Sequence, residues 1–130
     1  MTRAFIYTYD DSPKPKPWLP PFVKKPAQST LGKQLAGCRN LAARKGFRVV
    51  GEYGGGYESF NRQHRAQMVR ELKRAPGRVE AVIIYTMQDF AMSHRDFIRV
   101  ADEIEATGAK IYAVLRPALL FHEILKRLHQ

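Results

Sequence analysis

The sequence has little cysteine, no long apolar run and no apolar leader. Cys38 is the one cysteine among 130 residues, which excludes an internal disulfide and gives no cysteine spacing for a metal site. No apolar stretch approaches membrane-spanning length. These absences predict a soluble, cytoplasmic protein that contacts no membrane. The sequence indicates no cofactor, and its length suits one compact domain.

Acidic residues are absent from positions 12–51, although the same stretch contains nine lysines and arginines. The formal net charge is +10 and the pI is about 10.1, so most of the excess lies in this block. Such an acid-free block favours a surface that faces phosphate groups, and DNA is the predicted partner. The predicted DNA-binding residues are Lys14, Lys16, Lys24, Lys25, Lys33, Arg39, Arg44, Lys45 and Arg62.

Six prolines between positions 12 and 26 exclude a helix or a central strand there. The predicted structure is an extended arm rich in proline and lysine over residues 12–28. Trp18 and Phe22 lie in this arm. They either anchor it on the domain or stack on a partner or a base.

Apolar strand-like runs alternate with amphipathic helical patterns in the rest of the chain. The predicted strands cover 4–9, 47–53, 79–86 and 110–115. Predicted helices begin near Ser29 or Thr30, at Arg62, after a capping box at Ser93, and at Pro117. This alternation predicts an α/β fold, a three-layer sandwich with a mainly parallel four-stranded sheet and helices on both faces, in a single domain over residues 1–130. The last helix, over 117–129, has a broad apolar face and is a candidate homodimer or partner interface.

The loops after the first and third strands carry the candidate chemistry. Carboxyl ends of parallel strands meet at one edge of a sheet, where ligands usually bind. Asp10 and Asp11 follow the first strand, and Asp89 follows the third. Three carboxylates at one edge can hold Mg²⁺ for phosphoryl chemistry. Aspartates in turns are equally typical of solvated or capping residues, so both interpretations stay open.

Four segments in register resemble the catalytic domain of serine recombinases, the resolvase/invertase family. They are 3–9 (RAFIYTY), 29–53, 60–62 (FNR) and 77–85 (GRVEAVIIY). The resemblance covers about residues 3–115, with the proline-rich arm as an insertion. It implies a resolvase-like fold and an activity that cleaves DNA with a serine after the first strand, while clustered arginines stabilise the transition state.

Few of the family's functional residues are retained. The tyrosine-x-arginine-x-serine motif falls on Tyr7, Tyr9 and Asp11, so that the arginine and the nucleophile are missing. The aspartate-arginine-leucine-serine-arginine motif falls on 88–92 (QDFAM), and the acidic residue after the second strand falls on Gly54. Gln34 and Arg62 match the family, and Ser12 lies one position late.

These departures remove most of the positive charge that would stabilise a phosphorane, and the aspartates would repel a phosphate. The sequence therefore predicts a non-catalytic recombinase-like module that binds DNA or a protein partner. The alternative is a DNA-cleaving enzyme. It would be either a recombinase that uses Ser12 with Arg62 and Gln34, or a Mg²⁺-dependent nuclease that uses Asp10, Asp11 and Asp89.

Overall fold

The computed structural model describes residues 1–10, 31–54, 62–91 and 93–115. The arm at 12–28, the cap at Ser29 or Thr30, and the helix and dimer interface at 117–129 lie outside the described residues. The elements in chain order are β1 (Arg3–Tyr7), α1 (Leu31–Lys45), β2 (Arg48–Tyr53), α2 (Gln63–Arg74), β3 (Ala81–Ile84), α3 (Met87–Phe90), α4 (His94–Ala106) and β4 (Lys110–Ala113). None of the helices in these ranges is long and apolar enough to cross a membrane.

The four described strands form one sheet with the order β2-β1-β3-β4, and every neighbouring pair is parallel. β1 is therefore an inner strand, and β3 lies between β1 and β4. Both inner strands are continuous apolar runs because each is covered on both faces. The predicted parallel sheet is confirmed.

Side chains of the inner strands alternate between two separate cores. Ala4 and Ile6 pack with Cys38 and Ala42 of α1 on one face. The intervening side chains of β1 contribute to the core on the opposite face, which also contains Met68 from α2 and other residues of α2, α3 and α4. Since successive side chains of a strand point to opposite faces, one strand serves both cores. The predicted three-layer arrangement is confirmed.

The buried stripe of α1 includes a polar residue that the apolar pattern does not indicate. Gln34 is fully buried together with Cys38 and Ala42, whereas Leu35 and Leu41 are partly buried at the margin of that core. Burial raises the pKa of the Cys38 thiol to about 12, and the negative charges of Asp89 and Glu52 add to the effect. The thiol is therefore protonated at neutral pH.

The segment after β3, predicted as a loop over 87–92, instead begins with the short helix α3. Thr86 caps this helix: its hydroxyl accepts from the Asp89 backbone N–H at 3.1 Å and donates to the Asp89 carboxylate at 2.6 Å. A threonine with an aspartate three residues later is a capping pattern, which the strand interpretation of Thr86 obscured. Ser93, predicted to open a capping box, is the N-cap of α4, because its hydroxyl accepts from the Asp96 N–H.

The carboxyl ends of β1 and β2 approach each other closely at Gly54. Its φ is +95°, and a Cβ built there would lie 2.0 Å from the Thr8 carbonyl oxygen. The neighbouring Tyr53 carbonyl accepts from the Thr8 N–H at 3.0 Å, which holds the two chains in place. Because the obstruction is backbone, this position accepts only glycine.

Gly54→Ala should destabilise the protein much more than Gly46→Ala. Both glycines have positive φ, but a Cβ at Gly46 would meet nothing within 4 Å. The cost of alanine at Gly46 should be about 1–2 kcal/mol from backbone conformation, and the Gly54 clash should add about 1–3 kcal/mol. Urea denaturation of the two variants measures both costs. Equal losses would contradict the contact with Thr8.

Candidate functional site

Arg62 occupies the centre of the carboxyl edge of the sheet. It is the residue before α2, has a left-handed conformation (φ 56°, ψ 50°), and is 3% exposed. Its Nη1 donates to the Asp89 carbonyl at 2.7 Å and to the Tyr7 hydroxyl at 3.2 Å. The guanidinium carbon lies 3.4 Å from the centroid of the Tyr9 ring. This cation is therefore enclosed by aromatic rings and a carbonyl, since cation–π contact and hydrogen bonds replace its hydration.

Gln34 fixes the chain just after β1. Its Nε2 donates to the Tyr9 carbonyl at 2.7 Å, while its Oε1 accepts from the Tyr9 N–H at 2.9 Å. The amide thus satisfies both polar backbone groups of one residue, as a neighbouring strand would. Gln34 consequently holds the backbone of Tyr9, and Arg62 contacts its ring.

Arg65, one turn after Arg62, forms a buried ion pair with Asp96. Its Nη1 and Nη2 donate to the two carboxylate oxygens at 2.8 and 3.0 Å, and both side chains are less than 10% exposed. Nη1 also donates to the Phe90 carbonyl at 2.8 Å. Together, Arg62 and Arg65 satisfy two carbonyls at the end of α3, which a helix of four residues cannot satisfy itself.

The carboxylates of Asp10 and Asp89, two of the three candidate magnesium ligands, lie in different surroundings. Asp10 is half-buried just after β1, and the Asp89 carboxylate accepts from the Thr86 hydroxyl. The described residues contain no group of three or more acidic, histidine or cysteine side chains that could hold a metal ion. Asp11 and Ser12 lie outside the described residues, so the nucleophile and the third carboxylate stay predictions.

Structural residues fill two positions that the resemblance aligns with functional groups, and Phe90 fills the position of the family's leucine. Tyr9, at the position of the family's arginine, stacks against Arg62, where a second guanidinium would instead repel it. Gly54, at the acidic position, has no space for any side chain. Phe90 is fully buried and makes edge-to-face contacts with Tyr7 and Phe97 at centroid distances of 5.7 and 5.6 Å.

The predicted DNA-binding residues that the structure describes lie on α1, apart from Arg62. Lys33, Arg39, Arg44 and Lys45 are all exposed. Arg39 donates two hydrogen bonds of 2.8 Å to Glu52, whose pKa these bonds lower. Lys45 lies over the Tyr112 ring at 5.2 Å. The lysines of the arm lie outside the described residues, and Arg62 is buried away from this surface.

Sequence reasoning missed the partners of Arg62. The sequence places Tyr7 and Tyr9 on the first strand and in the family's motif without indicating their contact with Arg62, and it does not single out Arg65. One signal was available: arginines three residues apart at the start of a helix lie on one face and reach the same neighbouring segment. No comparable sequence pattern connects Gln34 to Tyr9, because 25 residues separate them.

Arg62→Met should lower the free energy of unfolding by about 1.5–3 kcal/mol, because the Tyr7 hydroxyl and the Asp89 carbonyl lose a charged donor. Arg70→Met is the matched control, since Arg70 is exposed on the same helix, and it should cost less than about 0.5 kcal/mol. Urea denaturation followed by circular dichroism measures both values. Similar effects of the two substitutions would show that the Arg62 contacts contribute little to stability.

The sequence matches no family model and no curated protein. Several solved structures are nevertheless similar over almost the whole chain. The C-terminal catalytic domain of ISC1926 TnpA, an IS607-like serine recombinase, has 20% identity and a TM-score of 0.64, with 97% of this chain and 79% of that one covered. The N-terminal catalytic domain of TP901-1 integrase has 15% identity and a TM-score of 0.68, covering 98% and 94%.

A resolvase family site-specific recombinase from Streptococcus pneumoniae has 16% identity and a TM-score of 0.70, covering 99% of this chain and 86% of that one. The overall fold described above is therefore shared with proteins of one kind. The chain has the resolvase-like fold of serine recombinase catalytic domains.

Proposed function

We propose that this chain is a non-catalytic recombinase-like module that binds DNA through its basic surface. The proposal rests on one observation: the two side chains that match the family's site, Gln34 and Arg62, are both buried and occupied by the chain itself. Gln34 is bonded to the Tyr9 backbone, and Arg62 is enclosed by Tyr7, Tyr9 and the Asp89 carbonyl.

Catalysis of phosphoryl transfer needs cations that reach the phosphate oxygens. A transition state with charge spread over several oxygens is stabilised by donors that are already aimed at it. A guanidinium that is 3% exposed and stacked on a tyrosine ring does not reach a DNA phosphate unless Tyr9 moves. Gln34 holds Tyr9 in place, which opposes that movement.

The same edge carries negative charge that works against an incoming phosphate. Asp10 follows β1, and Asp89 follows β3 within the cap of α3. Arg65 does not offset these charges, since Asp96 already pairs with it at 2.8 Å. The two carboxylates therefore oppose an incoming phosphate.

The exposed face of α1 supports DNA binding. Lys33 and Arg44 are exposed and eleven positions apart, close to three full helical turns, so they lie on one side of the helix about 16 Å apart along its axis. The helix has no acidic residue in its first turn and has Arg44 and Lys45 in its last turn. The arm lysines at 14, 16, 24 and 25 add to the same basic block in sequence. Arg62 contributes to this function by positioning the loop after β1.

The protein should bind duplex DNA with a steep salt dependence. The double variant that combines Lys33→Gln and Arg44→Gln should bind more weakly, by a similar factor for every DNA sequence. Loss of two phosphate contacts should reduce the slope of log K against log salt by about 2. Fluorescence anisotropy with a labelled duplex at several salt concentrations measures both. The control is Arg70→Gln with Arg95→Gln, which removes equal charge from exposed positions elsewhere. Absence of binding at low salt would exclude the proposed DNA function.

Incubation with supercoiled plasmid, with and without Mg²⁺, should leave the plasmid intact. The expected reason is that Arg62 is enclosed by Tyr7, Tyr9 and the Asp89 carbonyl, and that Arg65 is paired with Asp96. A nick that disappears in Ser12→Ala would establish the recombinase alternative. A Mg²⁺-dependent nick that disappears in Asp11→Asn would establish the nuclease alternative with Asp10, Asp11 and Asp89.

A further inference from the structure

A second basic site lies at the opposite end of the sheet, away from Arg62. A cleft of about 730 Å³ opens there between the amino ends of β1 and β2 and the last turn of α2. Four arginines line it: Arg3, Arg48, Arg74 and Arg78. They come from four separate places in the sequence, so that only folding brings them together. All four are exposed, and Tyr53, the last residue of β2, also lines the cleft.

Two of these arginines are direct neighbours across the sheet. Arg3 of β1 is in register with Arg48 of β2. Neighbouring strands are about 4.8 Å apart, and like charges at facing positions destabilise a sheet. A strand pair with two facing arginines is therefore unfavourable in the free protein, and an anion placed between them would remove the repulsion.

One carboxylate faces the four guanidinium groups. Glu71 lines the cleft and lies 3.8 Å from Arg74, but the two side chains are 45% and 80% exposed, so their interaction is weak. Within the described residues, Arg3, Arg48 and Arg78 form no ion pair. The cleft therefore keeps a surplus of three positive charges on a concave surface, where charges of one sign reinforce each other's field.

We propose that this cleft binds neighbouring phosphate groups of a polyanion. Arginine is suited to this ligand because its planar group donates two parallel hydrogen bonds to phosphate oxygens. Tyr53 adds a hydroxyl donor: burial, and then the nearby Glu71 charge, raise the pKa of Tyr53, so the hydroxyl stays neutral at physiological pH. The phosphates can belong to a nucleic-acid backbone or to a nucleotide polyphosphate, and the experiment below separates these sources.

The cleft is independent of the DNA-binding surface proposed above. Phe5 and Tyr53 belong to the core that α2 and α4 cover, whereas α1 packs on the opposite face of the sheet. The four arginines of the cleft lie toward the amino edge, while Tyr9, Arg62 and Asp89 lie at the carboxyl edge. Substitutions in the cleft and on α1 therefore report on different sites.

The test compares two double variants. The cleft variant combines Arg3→Gln and Arg48→Gln, and the control variant combines Arg70→Gln and Arg95→Gln, which removes the same charge outside the cleft. Two probes are used: inorganic triphosphate, measured by calorimetry, and a labelled DNA duplex, measured by anisotropy. The cleft variant should bind at least one probe about tenfold more weakly than the wild type, and the control should change binding less than twofold. Without any anion, Arg48→Gln alone should raise the melting temperature.

The outcomes are distinct. Loss of triphosphate binding alone indicates a nucleotide polyphosphate, whereas loss of duplex binding, with or without triphosphate, indicates a nucleic-acid backbone. If neither probe binds the wild type, or if the cleft variant and the control change equally, the proposed cleft function is wrong. The double variant Lys33→Gln with Arg44→Gln tests DNA binding by the α1 surface separately. A negative result for one site therefore leaves the proposal for the other site open to its own test.

Discussion

A buried guanidinium determines the arrangement of the carboxyl edge. Arg62 joins the end of β1, through Tyr7 and Tyr9, to the end of α3, through the Asp89 carbonyl. A cation in a protein interior is costly unless it is compensated, and here a ring, a hydroxyl and a carbonyl supply part of the compensation, while the buried Nε has no hydrogen-bond partner among the described residues. The loop after β1, the entry to α2 and the short helix α3 therefore cannot be rearranged independently of one another.

The molecule uses its arginines in two opposite ways. Arg62 and Arg65 are directed inward and donate to the carbonyls of Asp89 and Phe90, although the buried Nε of Arg62 has no hydrogen-bond partner among the described residues. Arg3 and Arg48 are directed outward, face each other across two strands, and lack a carboxylate partner in the described structure. The inward arginines join the end of β1 and the end of α3 to α2. Outward arginines explain where the surplus charge remains available to an anion.

The fold was predictable because its signals are local and repeated. Continuous apolar runs at 4–7 and 81–84, separated by amphipathic helices, allow few arrangements other than a parallel sheet covered on both faces. The candidate site was only partly predictable. Gln34 and Arg62 were identified through a resemblance, but their partners were not. The short helix α3 was missed because its capping pattern at Thr86 and Asp89 follows directly on a strand.

The sequence by itself determined the layers and the excess of positive charge, since each depends on residue type and spacing along the chain. Tertiary structure alone decided which cations are compensated. Gln34 meets Tyr9, Arg62 meets Tyr7, and Arg3 meets Arg48 across separations of 25, 55 and 45 positions. A charge has no fixed chemical role in a sequence, because its role depends on the acceptors and the solvent that folding places around it.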